Sequence, residues 1–145
     1  MKNAASLRWH SLLLVTAIWM APAAVAAGGD VAAIAPAEAA QQMKAGKAIV
    51  IDVRERSELD AGMAEGARWY PTTSIDSDPD AYRKFIASLP QNQTLVFYCA
   101  SGRRSGAAAE IARKDGRKTA NLGRFKDWRA AGLPVTVPAK ALQPG

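Results

Sequence analysis

The feature that most constrains the fold is the alternation of short apolar runs with helix-forming segments. Residues 48–53 (AIVIDV) and 94–98 (TLVFY) are rich in β-branched and aromatic side chains, and residues 118–122 predict a third strand. Helix-forming segments separate them, at residues 36–46, 78–89 and 105–114. These strands are too apolar to have a solvent-exposed face, and they alternate with helices. This pattern indicates an α/β fold with a parallel sheet covered on both sides.

Capping residues and helix breakers set the expected ends of the helices. Asp78 precedes Pro79 and is expected to cap the central helix. A shorter helix over residues 57–61 is expected to be capped by Ser57 and closed by Gly62. A last short amphipathic helix is predicted over residues 125–131.

The first 26 residues predict a secretory signal peptide. Lys2 and Arg8 give a basic start, residues 11–20 (SLLLVTAIWM) an apolar core, and residues 24–26 (AVA) a cleavage site after Ala26. The apolar core is about half the roughly 20 residues that a membrane-spanning helix needs, so no stable membrane association is expected. We therefore expect periplasmic localisation, with an uncleaved membrane tether as the alternative.

Removal of the signal peptide leaves 119 residues, enough for one domain and too few for two. The expected organisation is a short linker at residues 27–35, a domain at 36–137 and a tail at 138–145. The mature chain has 17 basic and 13 acidic residues, spread along its length with few aromatics. This pattern argues against nucleic-acid binding and favours small anions. We expect a monomer.

Two absences restrict the chemistry. The only histidine, His10, lies in the signal peptide, which excludes Ser-His-Asp and Cys-His catalysis and histidine-based metal sites from the mature chain. The only cysteine, Cys99, cannot form an internal disulfide. A free thiol in an exported protein is a liability in an oxidising compartment unless it is buried or used.

Cys99 opens the segment that carries the most chemical information, residues 99–105 (CASGRRS). It ends a predicted strand, at the sheet edge where ligands bind in open α/β folds. The predicted loop runs over six residues to Arg104, and Gly102 permits a tight backbone path. The N–H groups of such a turn, with the N-terminus of the next helix, form a cradle for an anion.

The same cradle would stabilise a thiolate. A lone cysteine after an apolar strand is more often a small core residue than a nucleophile. Lowering the thiol pKa by about two units from about 8.5 needs only about 2.7 kcal/mol of preferential stabilisation of the anion. Arg103 and Arg104 oppose the helix dipole, a cost best explained if an anion sits between them. The glycine, the two arginines and the strand–loop–helix arrangement therefore favour the interpretation of Cys99 as a nucleophile.

The loop and three other segments resemble one protein family. Residues 99–105 resemble the active-site loop of single-domain rhodaneses, which are sulfurtransferases. Residues 51–55 (IDVRE) resemble the Asp-Val-Arg motif of that family, and residues 66–71 resemble its glycine-alanine stretch before a proline. Residues 121–123 (NLG) with Trp128 resemble its closing segment. With the signal peptide, the chain is most similar to small periplasmic rhodaneses of the phage-shock type.

The resemblance implies a fold and a reaction. It implies about five parallel strands with helices on both faces, and a ping-pong reaction without metal or cofactor. Cys99 would take sulfur from a small anionic donor such as thiosulfate and pass it, as a persulfide, to a thiol or cyanide. Asp52 and Arg54 would be structural supports of the loop region. Six residues would hold the donor and the persulfide: Ala100, Ser101, Gly102, Arg103, Arg104 and Ser105.

Two departures from the family pattern bear on the site. Residues 63–65 (MAE) replace the frequent His-Ile-Pro, which affects local packing. Arg124 replaces the second glycine of the closing segment. Arg124 could add a third cation near the mouth of the site or partly obstruct it.

The sequence is compatible with three other functions. Phosphatase and arsenate reductase loops have the spacing Cys-x5-Arg, whereas Arg104 follows Cys99 with only four residues between them. A non-catalytic rhodanese-like binding module would leave the thiol idle, although such modules commonly lack the cysteine. A persulfide carrier or thiol-redox partner protein would use the same residues as the enzyme.

Overall fold

The main sheet has five parallel strands in the order β1-β6-β5-β2-β4. The computed structural model describes residues 30–140 and 142–145, so the predicted signal peptide lies outside the described residues. The strands are β1 Ala32–Ala33, β2 Ala48–Asp52, β4 Arg68–Trp69, β5 Thr94–Cys99 and β6 Thr119–Arg124. A separate antiparallel pair joins β3 Met63–Ala64 to β7 Val135–Thr136. The expected α/β fold with about five parallel strands is confirmed.

Six helices cover the sheet within the described residues. Five are α-helices: α1 Pro36–Lys44, α2 Thr72–Ser77, α3 Pro79–Ser88, α4 Arg103–Lys114 and α5 Phe125–Ala130. The sixth is a 3₁₀ helix at Arg56–Ala61. The Asp78 carboxylate caps α3 by accepting from the Ala81 N–H at 2.9 Å, as predicted. None of these helices is long and apolar enough to cross a bilayer.

The predicted cap of the 3₁₀ helix is wrong by two residues. Its cap is Glu55, not Ser57, because Glu55 and Glu58 satisfy each other's backbone donors. The Glu55 N–H donates to Glu58 Oε2 at 2.8 Å, and the Glu55 carboxylate accepts from the Glu58 N–H. Ser57 is left exposed within the helix. This arrangement also turns the Glu58 side chain towards the loop that follows β5.

The central strand β5 separates two hydrophobic cores. Its odd-numbered residues, from Leu95 to Cys99, pack in one core with α3 and with the alanines of α4. Its even-numbered residues, Val96 and Tyr98, pack in the other with α1 and α5. Residues 95–99 are all buried, as expected for a strand in the middle of a covered sheet. This packing fixes the position of the last residue of the strand, Cys99.

Candidate active site

Cys99 is the last residue of β5, and its side chain is fully buried beneath the loop that leads to α4. The Gly102 N–H donates to Cys99 Sγ at 3.1 Å, and the Ser105 hydroxyl lies 3.5 Å from the same sulfur. The thiol therefore occupies the carboxyl edge of the sheet, at the start of a loop whose donors point inwards. This is the position that the sequence predicts for it.

The surroundings of Cys99 lower the pKa of its thiol. Burial alone raises that pKa, because a thiolate loses hydration in the protein interior. The Ser105 hydroxyl and the backbone N–H groups of Ser105, Ser101 and Gly102 act in the opposite direction and outweigh burial. The loop thus stabilises negative charge on the sulfur, which is the form of cysteine that reacts as a nucleophile.

Gly102 makes the loop shorter than the sequence suggests. Helix α4 begins at Arg103 rather than Ser105, because Gly102 turns the chain with φ 92° and ψ −15°. A Cβ atom on Gly102 would lie 3.2 Å from the Cα atom of Gly123 on β6. Both the conformation and this close approach require glycine. As a consequence, Ser105 lies within the first turn of the helix and presents its hydroxyl to the sulfur.

The two arginines after Gly102 have different environments. Arg104 forms a bidentate ion pair with Glu58, with Nη–Oε distances of 2.8 Å, and this pairing lowers the pKa of Glu58. Arg103 is exposed and has no ion-pair partner among the described residues. The hypothesis of an anion between the two arginines therefore needs correction. A carboxylate of the protein itself neutralises Arg104, and Arg103 is left as the unpaired cation.

Asp52 and Arg54 form a buried ion pair beside this site. Arg54 Nη2 lies 2.7 Å from Asp52 Oδ2, and its Nε donates to both carboxylate oxygens at 3.0 and 3.1 Å. Burial and the Asp52 carboxylate raise the pKa of Tyr98, so its hydroxyl stays protonated and donates to Asp52 at 2.5 Å. The guanidinium of Arg54 also stacks on the Phe125 ring, 3.9 Å from its centroid.

This buried pair is connected to the loop through the 3₁₀ helix. Arg54 donates to the carbonyl oxygens of Glu58 and Gly62 at 3.1 and 2.7 Å, which fixes the middle of the 3₁₀ helix and the glycine that follows it. The Glu58 side chain then holds Arg104. Among the described residues, no side-chain hydrogen bond or ion pair joins Asp52 or Arg54 to Cys99 or to residues 100–105. They hold the 3₁₀ helix whose Glu58 binds Arg104, and their role as supports of the loop region stays a prediction.

The remaining predicted residues lie on the outer side of the site. Ala100 and Ser101 are exposed, and Ser101 Oγ accepts a long hydrogen bond of 3.4 Å from the Arg103 N–H. Arg124 lies beside Cys99 in the register of β5 and β6. Its guanidinium binds the Asp127 carboxylate at 2.8 and 3.1 Å, so its charge is already paired.

Asn121 is a residue of this site that the sequence does not predict, although it lies in the closing segment at residues 121–123. Asn121 lies on β6, and its side chain contacts Gly102, Ser105 and Gly123. Its position two residues before a glycine in a strand was the available signal, since a glycine inside a strand marks a bulge or a close backbone approach.

The described residues thus form a parallel α/β sheet that carries a thiol with a lowered pKa at its carboxyl edge, in a loop of backbone N–H donors. Comparison with known families identifies the family. The model of the rhodanese-like domain matches residues 35–131, and the chain belongs to this family.

Relatives within the family support the same assignment. The human thiosulfate:glutathione sulfurtransferase is 32% identical over 95 residues, which cover 59% of this chain and 83% of the human protein. The Mycobacterium tuberculosis protein named Probable adenylyltransferase/sulfurtransferase MoeZ is 36% identical over 95 residues, but the chain spans only 22% of its length. A rhodanese-related protein from Thermoplasma volcanium has a similar structure, with a TM-score of 0.62 at 25% identity, covering 74% of this chain and 99% of that one.

Proposed function

We propose that this protein is a sulfurtransferase that moves sulfane sulfur from thiosulfate, or a similar small anionic donor, to a thiol or cyanide. The observation that carries the proposal is the geometry of Cys99, whose Sγ faces the Gly102 N–H at 3.1 Å and the Ser105 hydroxyl at 3.5 Å. These donors favour the thiolate without a histidine base.

The proposed reaction has two steps that regenerate the enzyme. In the first, the Cys99 thiolate attacks the outer sulfur of thiosulfate, a new S–S bond forms, and sulfite leaves with the electron pair of the broken bond. In the second, the acceptor attacks the outer sulfur of the persulfide. The product is thiocyanate from cyanide, or a new persulfide from a thiolate, and the Cys99 thiolate is restored.

The direct test is the mass of the purified protein. After incubation with thiosulfate, we expect the mass to increase by one sulfur atom, and cyanide should remove that atom and release thiocyanate. A protein that gains no sulfur from thiosulfate, mercaptopyruvate or a low-molecular-weight persulfide would contradict the proposal and would favour a non-catalytic module.

The charges of the Glu58–Arg104 ion pair are expected to set the affinity for the donor anion. Arg104→Ala removes a cation and leaves the Glu58 carboxylate unpaired near the loop, so the KM for thiosulfate is expected to rise about tenfold with little change in kcat. Adding Glu58→Gln should restore part of the affinity, because it removes the uncompensated negative charge. Steady-state kinetics at constant ionic strength measures both effects. A double variant that is no better than Arg104→Ala would refute this electrostatic explanation.

We also propose that the protein is exported and acts in the periplasm. The basic start, short apolar core and small-residue cleavage site within residues 1–26 support this proposal. We expect the intact mass of the periplasmic protein to correspond to a chain that begins at residue 27. Recovery of the full-length chain from the membrane fraction would instead indicate an uncleaved tether.

A further inference from the structure

Asn121 makes three side-chain hydrogen bonds at the loop that holds Cys99. Its Nδ2 donates to the Gly102 carbonyl at 2.9 Å. Its Oδ1 accepts from the Gly123 N–H at 3.0 Å and from the Ser105 hydroxyl at 2.8 Å. One amide on β6 therefore binds the loop, the first turn of α4 and its own strand.

The two glycines that Asn121 joins are in contact. The pairing of β5 with β6 shifts register between Phe97 and Tyr98, which places an additional residue on β6 before Gly123. Gly102 and Gly123 both have positive φ, 92° and 89°, and a Cβ atom on Gly102 would lie 3.2 Å from Gly123 Cα. We call Asn121 with these two glycines the Asn121 clamp, because the amide ties the loop to the irregular part of the strand.

The clamp requires an amide in one orientation. If the oxygen and nitrogen were exchanged, the NH₂ group would face the Gly123 N–H and the oxygen would face the Gly102 carbonyl, so two hydrogen bonds would become repulsive. A carboxylate at position 121 could keep the contact with Gly123 but not the donation to Gly102. An apolar side chain of the same branched shape would lose every bond.

We propose that Asn121 is a positioning residue of the sulfur-transfer site, which holds Gly102 against β6 so that the Gly102 N–H stays directed at Cys99 Sγ. This inference rests on the proposed role of Cys99 as the reacting group. Asn121 makes no hydrogen bond to the sulfur itself. Its effect passes through Gly102, whose N–H lies 3.1 Å from the sulfur.

The Asn121 amide has a second effect on the Cys99 thiolate, which acts in the opposite direction to the first. The Ser105 hydroxyl has one proton and three acceptors in reach, Asn121 Oδ1 at 2.8 Å, the Gly102 carbonyl at 3.1 Å and Cys99 Sγ at 3.5 Å, so the amide is the nearest competitor of the sulfur. If withholding this proton were the main role of Asn121, its removal would stabilise the thiolate. If holding Gly102 is the main role, its removal destabilises the thiolate, and the direction of the change decides between the two.

The test is the pH dependence of the rate at which iodoacetamide, an uncharged reagent, alkylates Cys99, the only thiol in the sequence. In Asn121→Leu we expect the midpoint to move to higher pH, with alkylation about fivefold slower at pH 7 and an unchanged rate at high pH. The charged groups around the loop stay the same in this comparison: Arg103, Arg104 with Glu58 and Glu55, and Arg124 with Asp127. Asn92→Leu, at an exposed turn position, is the matched control and should leave the midpoint unchanged.

An unchanged midpoint, or one that moves to lower pH, would overturn the proposal. Asn121→Ala, a smaller uncharged change, decides the question if the leucine variant does not fold. It should raise the midpoint, whereas Asn92→Ala, at the distant exposed turn, should not. Alkylation needs no sulfur donor, so a clamp effect without persulfide formation from thiosulfate would refute the proposed function alone.

Discussion

Replacing Cys99 by serine is expected to abolish sulfur transfer and leave the fold intact. A serine hydroxyl stays protonated at neutral pH and cannot form a persulfide, so both steps of the reaction lose their covalent intermediate. Turnover of thiosulfate should fall by several orders of magnitude, to the rate without enzyme. Because Cys99 is the only cysteine in the sequence, no other thiol can replace it.

Three measurements together separate chemistry from folding in this variant. The mass after incubation with thiosulfate should show no added sulfur, thiocyanate release should be absent, and the thermal unfolding temperature should change by only a few degrees. Ser57→Ala, at an exposed position of the 3₁₀ helix, is the control and should keep most of the activity. A serine variant that still gains sulfur from thiosulfate would remove Cys99 from the reaction.

The long strands and the thiol position could be predicted from the sequence because both depend on local patterns. The apolar runs of β2 and β5 leave these strands no solvent-exposed face, and Cys99 comes directly after the second run. The two-residue strands, β1 among them, have no periodicity to detect. Ala32 and Ala33 fall in the predicted linker yet pair with β6 at the edge of the sheet.

The partners within the site could not be predicted, because they depend on contacts between distant segments. Glu58 and Arg104 are 46 positions apart, and nothing in the order of charges pairs them. The start of α4 depends on the positive φ of Gly102, a residue that also needs to lack a Cβ atom because it lies so close to Gly123 on a distant strand. Asn121 acquires its contacts only when β6 lies beside β5 with the register shift.

The second large effect is expected on stability, from Arg54→Met. The variant keeps an apolar stem of similar length but leaves the Asp52 carboxylate buried without its cation. Removing one partner of a buried ion pair typically costs about 3–5 kcal/mol, because the remaining charge is uncompensated. Two carbonyls, of Glu58 and Gly62, also lose their donor. The free energy of unfolding from urea titration should fall by about that amount.

Two further variants show whether this loss comes from the unpaired charge. Arg56→Met removes a half-buried arginine whose contacts are long, 3.5 Å to the Asp60 carboxylate and 3.3 Å to the Ala139 carbonyl, and it should cost no more than about 0.5 kcal/mol. Adding Asp52→Asn to Arg54→Met should recover part of the stability, since a neutral amide is cheaper to bury than an unpaired carboxylate. A double variant that is less stable than Arg54→Met would mean that Asp52 stabilises the fold mainly through Tyr98 and the Arg54 N–H, to which it is also hydrogen-bonded. The buried pair would then support the 3₁₀ helix by hydrogen bonding rather than by charge compensation.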